Sequence, residues 1–257
     1  MRQSFFSDGR FLRFSLILQA ILILRAPLPA HAAGPATRPY VVHLPGVGGI
    51  LTVDHNLIAG LKAGGVKADY LTYDWTEHDP GVPALHAIER NHKEAQRVAD
   101  LIAQRAEAYP GSRVVLTSHS GGGAMAVWTL ERLPVGVQVD DALLMAPALS
   151  PGYDLSKALS HVKGKMYVFW STGDELVLGL GCRLCGTMDG ILTDAAGKVS
   201  FSQPAGANVV EYQKLHQIAY DPAWMRLGNF GDHVGPMSGP FAAVVLAPLV
   251  SGTVPLP

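Results

Sequence analysis

Residues 113–123 read RVVLTSHSGGG: an apolar, β-branched segment runs into two serines and a histidine, then three glycines, and AMAVWTLERL follows. The first part favours an extended strand, and the part after the glycines has the composition of a helix. Only a sharp turn joins the two over so few residues. A serine at its apex projects its hydroxyl above the carboxyl ends of the strands. Strand and helix pass so close at such a turn that the positions two before and two after the apex accept only small side chains. Ser120 satisfies this with Ser118 and Gly122, whereas an apex at Ser118 would place Leu116 in the crowded position. Ser120 is therefore the candidate nucleophile. Gly121 leaves its N–H open at the start of a helix whose dipole favours negative charge.

Outward from this stretch the chain alternates strand and helix patterns. PYVVHL (39–44) is a short apolar strand, 54–64 is helical, and VKADYLTYDW (66–75) has strand composition. An amphipathic stretch from Ala84 to Ala108 ends at Tyr109, Pro110 and Gly111. Beyond the turn come a helix over 122–133, the strand DALLMA (141–146) and a short helix. The strands KMYVFWS (165–171) and NVVEYQKLH (208–216) and a closing apolar helix over 239–250 complete the series. The alternation predicts an α/β protein with a mostly parallel central sheet and helices on both faces. With 257 residues, 48% hydrophobic and 16% charged, the chain can bury one sizeable core. A formal net charge of -1 and the absence of Lys or Arg runs exclude a phosphate-tracking surface, so no nucleic-acid partner is expected.

The first 32 residues follow different rules. Arg2, Arg10 and Arg13 precede an apolar run from Phe14 to Leu24, and RAPLPAHAA ends in an A-x-A pattern at Ala30 and Ala32. The run falls short of the roughly 20 residues a membrane span needs. The reading is a cleaved signal peptide over 1–32, with residues 33–257 as one exported domain, periplasmic or extracellular, that keeps no stable membrane span. Export places Cys182 and Cys185, in GCRLCG, in an oxidising compartment. A local disulfide pinning a loop is favoured there over two free thiols. Redox catalysis would require the first cysteine at a helix start after a strand, and glycines flank the pair instead.

The segment S-H-S-G-G resembles the G-x-S-x-G elbow of the α/β-hydrolase superfamily, with serine in place of the first glycine. Strand order and three further positions extend the resemblance over residues 39–250. In HLPGVGG (43–49), the turn after the first strand, the resemblance implies a second oxyanion-hole N–H from Val47, with Gly48 as the next choice. That segment has neither G-x-G-x-x-G nor P-loop spacing, so nucleotide binding is not expected. In STGDELV (171–177) it implies Asp174 as the acid that orients the base, with Asp154 and Glu175 as rivals. In GNFGDHVGPMS (228–238) it implies His233 as general base, completing the order Ser, Asp, His. Asp232 is too close in sequence to reach its neighbour's ring.

Only about ten residues separate the strand ending near Met145 from the helix at Ser156, where many members of that superfamily insert a cap, so the resemblance implies no large cap domain and a site open on that side. Glu175 to Ala207 forms a long excursion, expected to shape a pocket with Leu176, Val177 and Leu178 as lining. Together with the signal-peptide reading, the resemblance implies an exported serine hydrolase acting on a small-molecule or lipid ester through an acyl-enzyme, with no metal and no organic cofactor. An acyltransferase, or an inactive binding protein on the same scaffold, is the alternative.

Overall fold

The computed structural model describes residues 38–77 and 79–253. The signal-peptide reading of residues 1–32 lies outside them. Six parallel strands form one sheet: β1 (Tyr40–Leu44), β2 (Asp69–Thr72), β3 (Val114–His119), β4 (Asp141–Met145), β5 (Met166–Trp170) and β6 (Leu215–Ala219). Their order is β2-β1-β3-β4-β5-β6. The direction of strand addition reverses between β1 and β3, and ligands bind at such a switch point, beyond the carboxyl ends of the strands. Leu44 and Ser118 are register partners there, so the chain leaves both strands side by side.

Side-chain alternation with period two divides the core between the two faces. Val42, Leu44, Leu116, Leu144 and Val168 point to one face, under α3 (Ile88–Ala108) and α4 (Gly121–Leu130). Val41, Val115, Leu143, Met145 and Phe169 point to the other, against α1 (Thr52–Ala63) and the closing helical run 239–251. Every residue of α4 is buried, which explains why GGGAMAVWTL lacks a polar face: the helix lies against the sheet under its neighbours. A large apolar side chain buried there, such as Trp128 or Met125, contributes about 1.5–3 kcal/mol relative to leaving it exposed.

The strand read over 66–75 shortens to Asp69–Thr72, the closing helix carries a π-helical stretch at Ala242–Leu246, and three other segments differ more from the sequence reading. The long stretch after Ala84 is two helices, a short one at Val82–His86 and α3, broken at Ala87 where ψ is 53°. Within NVVEYQKLH, residues Val209–Tyr212 form a helical turn, because the Asn208 carboxamide oxygen accepts the N–H groups of Val210 (3.1 Å) and Glu211 (3.4 Å). The strand follows, as β6, and its half-exposed edge position explains its weak apolar signal. The excursion after Glu175 is largely built structure: a wide π-helical turn (Glu175–Gly181) continues into a turn of α-helix (Cys182–Cys185), and another short helix lies at Ala196–Val199. Backbone hydrogen bonds tie the excursion to the segment after β4, from Met188 N–H to the Ala148 carbonyl (2.9 Å) and from Ala196 N–H to that of Leu149 (2.8 Å).

Candidate active site

The turn between β3 and α4 holds Ser120 at φ 55° and ψ −124°, a conformation that non-glycine residues rarely adopt. Three backbone hydrogen bonds hold it. Ser120 N–H donates to the Met145 carbonyl (3.0 Å), and the Ser120 carbonyl accepts Gly123 N–H and Ala148 N–H (both 2.9 Å). Gly122 is demanded by contact: a Cβ there would stand 2.1 Å from the Leu44 carbonyl oxygen and 2.4 Å from that of Pro45. The requirement for a small residue two positions past the apex thus comes from the end of β1.

The turn after β1 crosses close to the start of α4. A Cβ on Gly121 would lie 3.4 Å from Val47 N, 2.7 Å from Val47 Cγ1 and 3.2 Å from Met188 Sδ. The Gly46 carbonyl accepts Gly49 N–H (3.1 Å), and the N–H of a trans peptide points opposite to its carbonyl, so Val47 N–H is turned away from that bond. Trp75 Nε1–H to the Pro45 carbonyl (2.8 Å) and Gly81 N–H to the Val47 carbonyl (2.7 Å) brace the turn from outside. Val47 and Gly121 have no protein acceptor for their N–H groups among the described residues, as an oxyanion hole requires.

Ser120, His233 and Asp174 come together from three loops. His233 Nε2 lies 2.9 Å from Ser120 Oγ, and His233 Nδ1 lies 2.6 Å from Asp174 Oδ2. Asp174 is buried, and its other oxygen accepts Leu178 N–H (3.2 Å) at the start of the π-helical turn. A carboxylate only accepts, so the proton of the neutral imidazole sits on Nδ1 and Nε2 is free to take the serine proton. The rivals lie elsewhere. Asp154 is spent on Ser156, accepting its N–H (2.9 Å) and hydroxyl (2.6 Å), and Glu175 pairs with Lys198 at 2.5 Å. Asp232 accepts Gly235 N–H within its own loop (2.7 Å).

Two neighbouring groups escaped the sequence reading. His119, the residue inside the elbow, is buried, and its Nε2 lies 2.9 Å from the His233 carbonyl oxygen. Burial, and then proximity to His233, push its pKa down to about 3, so it stays neutral. Below the Val47 turn, His43 Nε2 pairs with Asp54 Oδ1 (2.8 Å) and its Nδ1 meets Thr117 Oγ1 (3.1 Å), all fully enclosed. Asp54 Oδ2 also accepts Leu51 N–H (2.7 Å), which ties the start of α1 to the end of β1. Burial alone would raise the Asp54 pKa, but the hydrogen bonds from His43 and Leu51 outweigh it and hold the carboxyl below its usual range. The available signal was the placement of polar residues in otherwise apolar strands.

The excursion corrects two expectations. Leu178 is core, fully buried, while Leu176 and Val177 are exposed. Cys182 and Cys185 are free thiols three residues apart on one helical turn, so the expected disulfide is absent. Burial and the nearby Asp174 carboxylate push the Cys182 thiol up to about 12, which opposes thiolate chemistry. Ion pairs hold the excursion instead: Lys198 meets Glu175 and Asp194 (3.3 Å), and Arg183 meets Asp194 (2.6 Å). Exposed apolar side chains lie close in sequence to the loops that carry Val47, Asp174 and His233: Ile50 and Leu51 after the Val47 turn, Leu176 and Val177 after Asp174, Phe230 and Val234 beside His233. Among the described residues no helix is long and apolar enough to cross a membrane, and no three His, Cys, Asp or Glu side chains gather to hold a metal ion.

Among solved structures the chain is similar to Aspergillus fumigatus lipase B, with a TM-score of 0.53 and 15% identity, over 89% of this chain and 56% of that one. It thus spans little more than half the length of that lipase. A cutinase-like protein from Cryptococcus sp. matches with a TM-score of 0.44 and 13% identity, over 86% of this chain and 98% of the other. A lipase/esterase from Lactobacillus plantarum matches with 0.42 and 13%, over 72% and 76%. No family model and no curated protein matches the chain. Strand order, elbow and structural likeness together define the class: this is an α/β-hydrolase fold.

Proposed function

We propose that this protein is an exported serine hydrolase that cleaves carboxylic esters through an acyl-enzyme on Ser120. The observation that carries the reading is the continuous line of hydrogen bonds from Ser120 Oγ through His233 to Asp174, at 2.9 and 2.6 Å. His233 Nε2 takes the hydroxyl proton as Ser120 Oγ attacks the acyl carbonyl. Asp174 stabilises the resulting imidazolium and keeps its Nδ1 proton in place. Val47 and Gly121 N–H groups receive the oxyanion that develops on the former carbonyl oxygen, in a position already set by the fold. His233 then gives its proton to the departing alkoxide, and water activated by the same nitrogen releases the acid. Each of these groups belongs to the chain itself.

Esters with apolar acyl or alcohol parts, lipids included, fit the exposed leucine, isoleucine, valine and phenylalanine side chains that adjoin the loops carrying Val47, Asp174 and His233. Export rests on the character of residues 1–32. The test is intact mass of the mature protein after a fluorophosphonate probe, beside Ser120→Ala. One adduct on the wild type and none on the variant is the expected result. A folded wild-type protein that takes no adduct would leave the binding-protein alternative in its place. Partition of the acyl group between water and an added alcohol or amine separates hydrolysis from acyl transfer.

A further inference from the structure

The base of the proposed triad stands on a loop that packs on the core through Met237 but makes its hydrogen bonds mostly within itself. Gly228 and Gly231 both have φ 75°, which gives the segment around His233 its reversals. The loop's own hydrogen bonds are local: Gly231 N–H to Asn229 Oδ1 (3.0 Å), Gly235 N–H to Asp232 Oδ1 (2.7 Å), Met237 N–H to the Val234 carbonyl (2.9 Å). Such bonds shape the loop without fixing it against the sheet. The ring of His233 touches Ser120 and Asp174, yet a side chain stays on target only if the backbone beneath it does.

Among the described residues, one hydrogen bond joins the His233 backbone to the central sheet. His119, the last residue of β3, places Nε2 2.9 Å from the His233 carbonyl oxygen, and its ring lies tilted against the His233 ring at a centroid distance of 4.8 Å. A carbonyl only accepts, so Nε2 of His119 carries the hydrogen. His119 pairs in register with Met145 between two fully buried strands, so the donor end of this bond belongs to the central sheet.

We infer that His119 is a positioning residue: its Nε2–H, donated to the His233 carbonyl, fixes the base's loop to β3 and keeps His233 Nε2 within reach of Ser120 Oγ. The inference rests on the serine-hydrolase reading above. It gives the histidine inside S-H-S-G-G a task that a small residue could not perform. The ring is also held neutral by its burial, so it adds no positive charge beside His233 when that imidazole becomes protonated in the reaction. A drift of about 1 Å in the loop would carry the 2.9 Å Ser120–His233 contact beyond hydrogen-bond range.

The test compares His119→Leu, which removes the donor, with His119→Gln, whose amide nitrogen can reach the same carbonyl. With a short-chain p-nitrophenyl ester, His119→Leu is expected to lower kcat roughly 10- to 100-fold, the scale of small misplacements and lost supporting bonds, with KM held within about threefold. His119→Gln should recover most of the rate. A folded His119→Leu protein with wild-type kcat overturns the inference, as does a glutamine variant no better than leucine. Should the leucine variant not fold, nitrogen-15 NMR of the wild type decides the bond: the Nε2–H tautomer is expected for His119 at pH 7, and the Nδ1–H tautomer or an imidazolium refutes it. Fluorophosphonate labelling separates the two levels. A wild type that is not labelled removes the serine-hydrolase reading and this inference with it. Equal labelling rates of wild type and His119→Leu remove this inference alone.

Discussion

Replacing Asp174 by asparagine changes one atom and should disable the site for a reason visible in its hydrogen bonds. The carboxylate accepts twice, from Leu178 N–H at 3.2 Å and from His233 Nδ1 at 2.6 Å, and is itself buried. An amide can accept on one side only. If its oxygen keeps Leu178, its NH2 faces His233 Nδ1 and forces the proton onto Nε2, where the imidazole can no longer take the Ser120 proton. If the amide flips, its NH2 opposes Leu178 N–H, a buried mismatch of about 1–3 kcal/mol. The imidazolium formed in the transition state also loses a carboxylate, an attraction of about 4 kcal/mol for charge centres about 4 Å apart at an effective dielectric of about 20. Together these come to about 5–7 kcal/mol, or roughly four to five decades in kcat at about 1.36 kcal/mol per decade. The assay is kcat and KM on a p-nitrophenyl ester with thermal melts alongside, and Asp154→Asn as the surface control with unchanged activity. A folded Asp174→Asn enzyme that loses less than tenfold would refute the tautomer argument and the assignment of the acid.

Gly122→Ala should destabilise the fold by about 1–3 kcal/mol or more in a denaturant titration, since its methyl would overlap the Leu44 and Pro45 carbonyls. Asp54→Asn should cost about 1–3 kcal/mol near neutral pH, because the amide oxygen can accept from His43 or from Leu51 N–H but not from both, which leaves one buried donor facing an NH2. The Asp54 pKa is lowered in the folded state, so its contribution is in place above about pH 4 and fades as pH falls through the folded value. The stability gap between wild type and Asp54→Asn, read from urea curves at several pH values, should therefore narrow on acidification. Cys182→Ser with Cys185→Ser should retain ester hydrolysis under reducing and non-reducing conditions, because neither thiol takes part in the proposed chemistry; activity lost with the pair would bring the redox reading back.

Much of this molecule was legible without coordinates because its decisive signals are local. A strand-like RVVLTS running through two serines into glycines and a helix-forming run can hardly be anything but a tight elbow, and the crowding rule at Ser118 and Gly122 selected Ser120. Errors came where local chemistry competed with composition. NVVEYQKLH has strand residues, yet the Asn208 cap turned its first half into a helix. GCRLCG read as a pinned loop, yet it closes a helical turn whose stability comes from burial of Leu178 and from the Lys198, Asp194 and Arg183 ion pairs, groups up to 16 residues from the cysteines.

By itself the sequence determined the alternation of strand and helix and the tight turn at Ser120. Those features depend on neighbours a few residues away, where steric rules and side-chain periodicity act directly. Only the tertiary structure decided that Asp174 rather than Asp154 or Glu175 meets the histidine, that Val47 N–H is left free beside Gly121, and that His119 and the His43–Asp54 pair stand beneath them. Each of those facts depends on where the ends of β1, β3 and β5 and the loop beyond β6 converge, and on which buried polar groups are left to satisfy one another once water has gone.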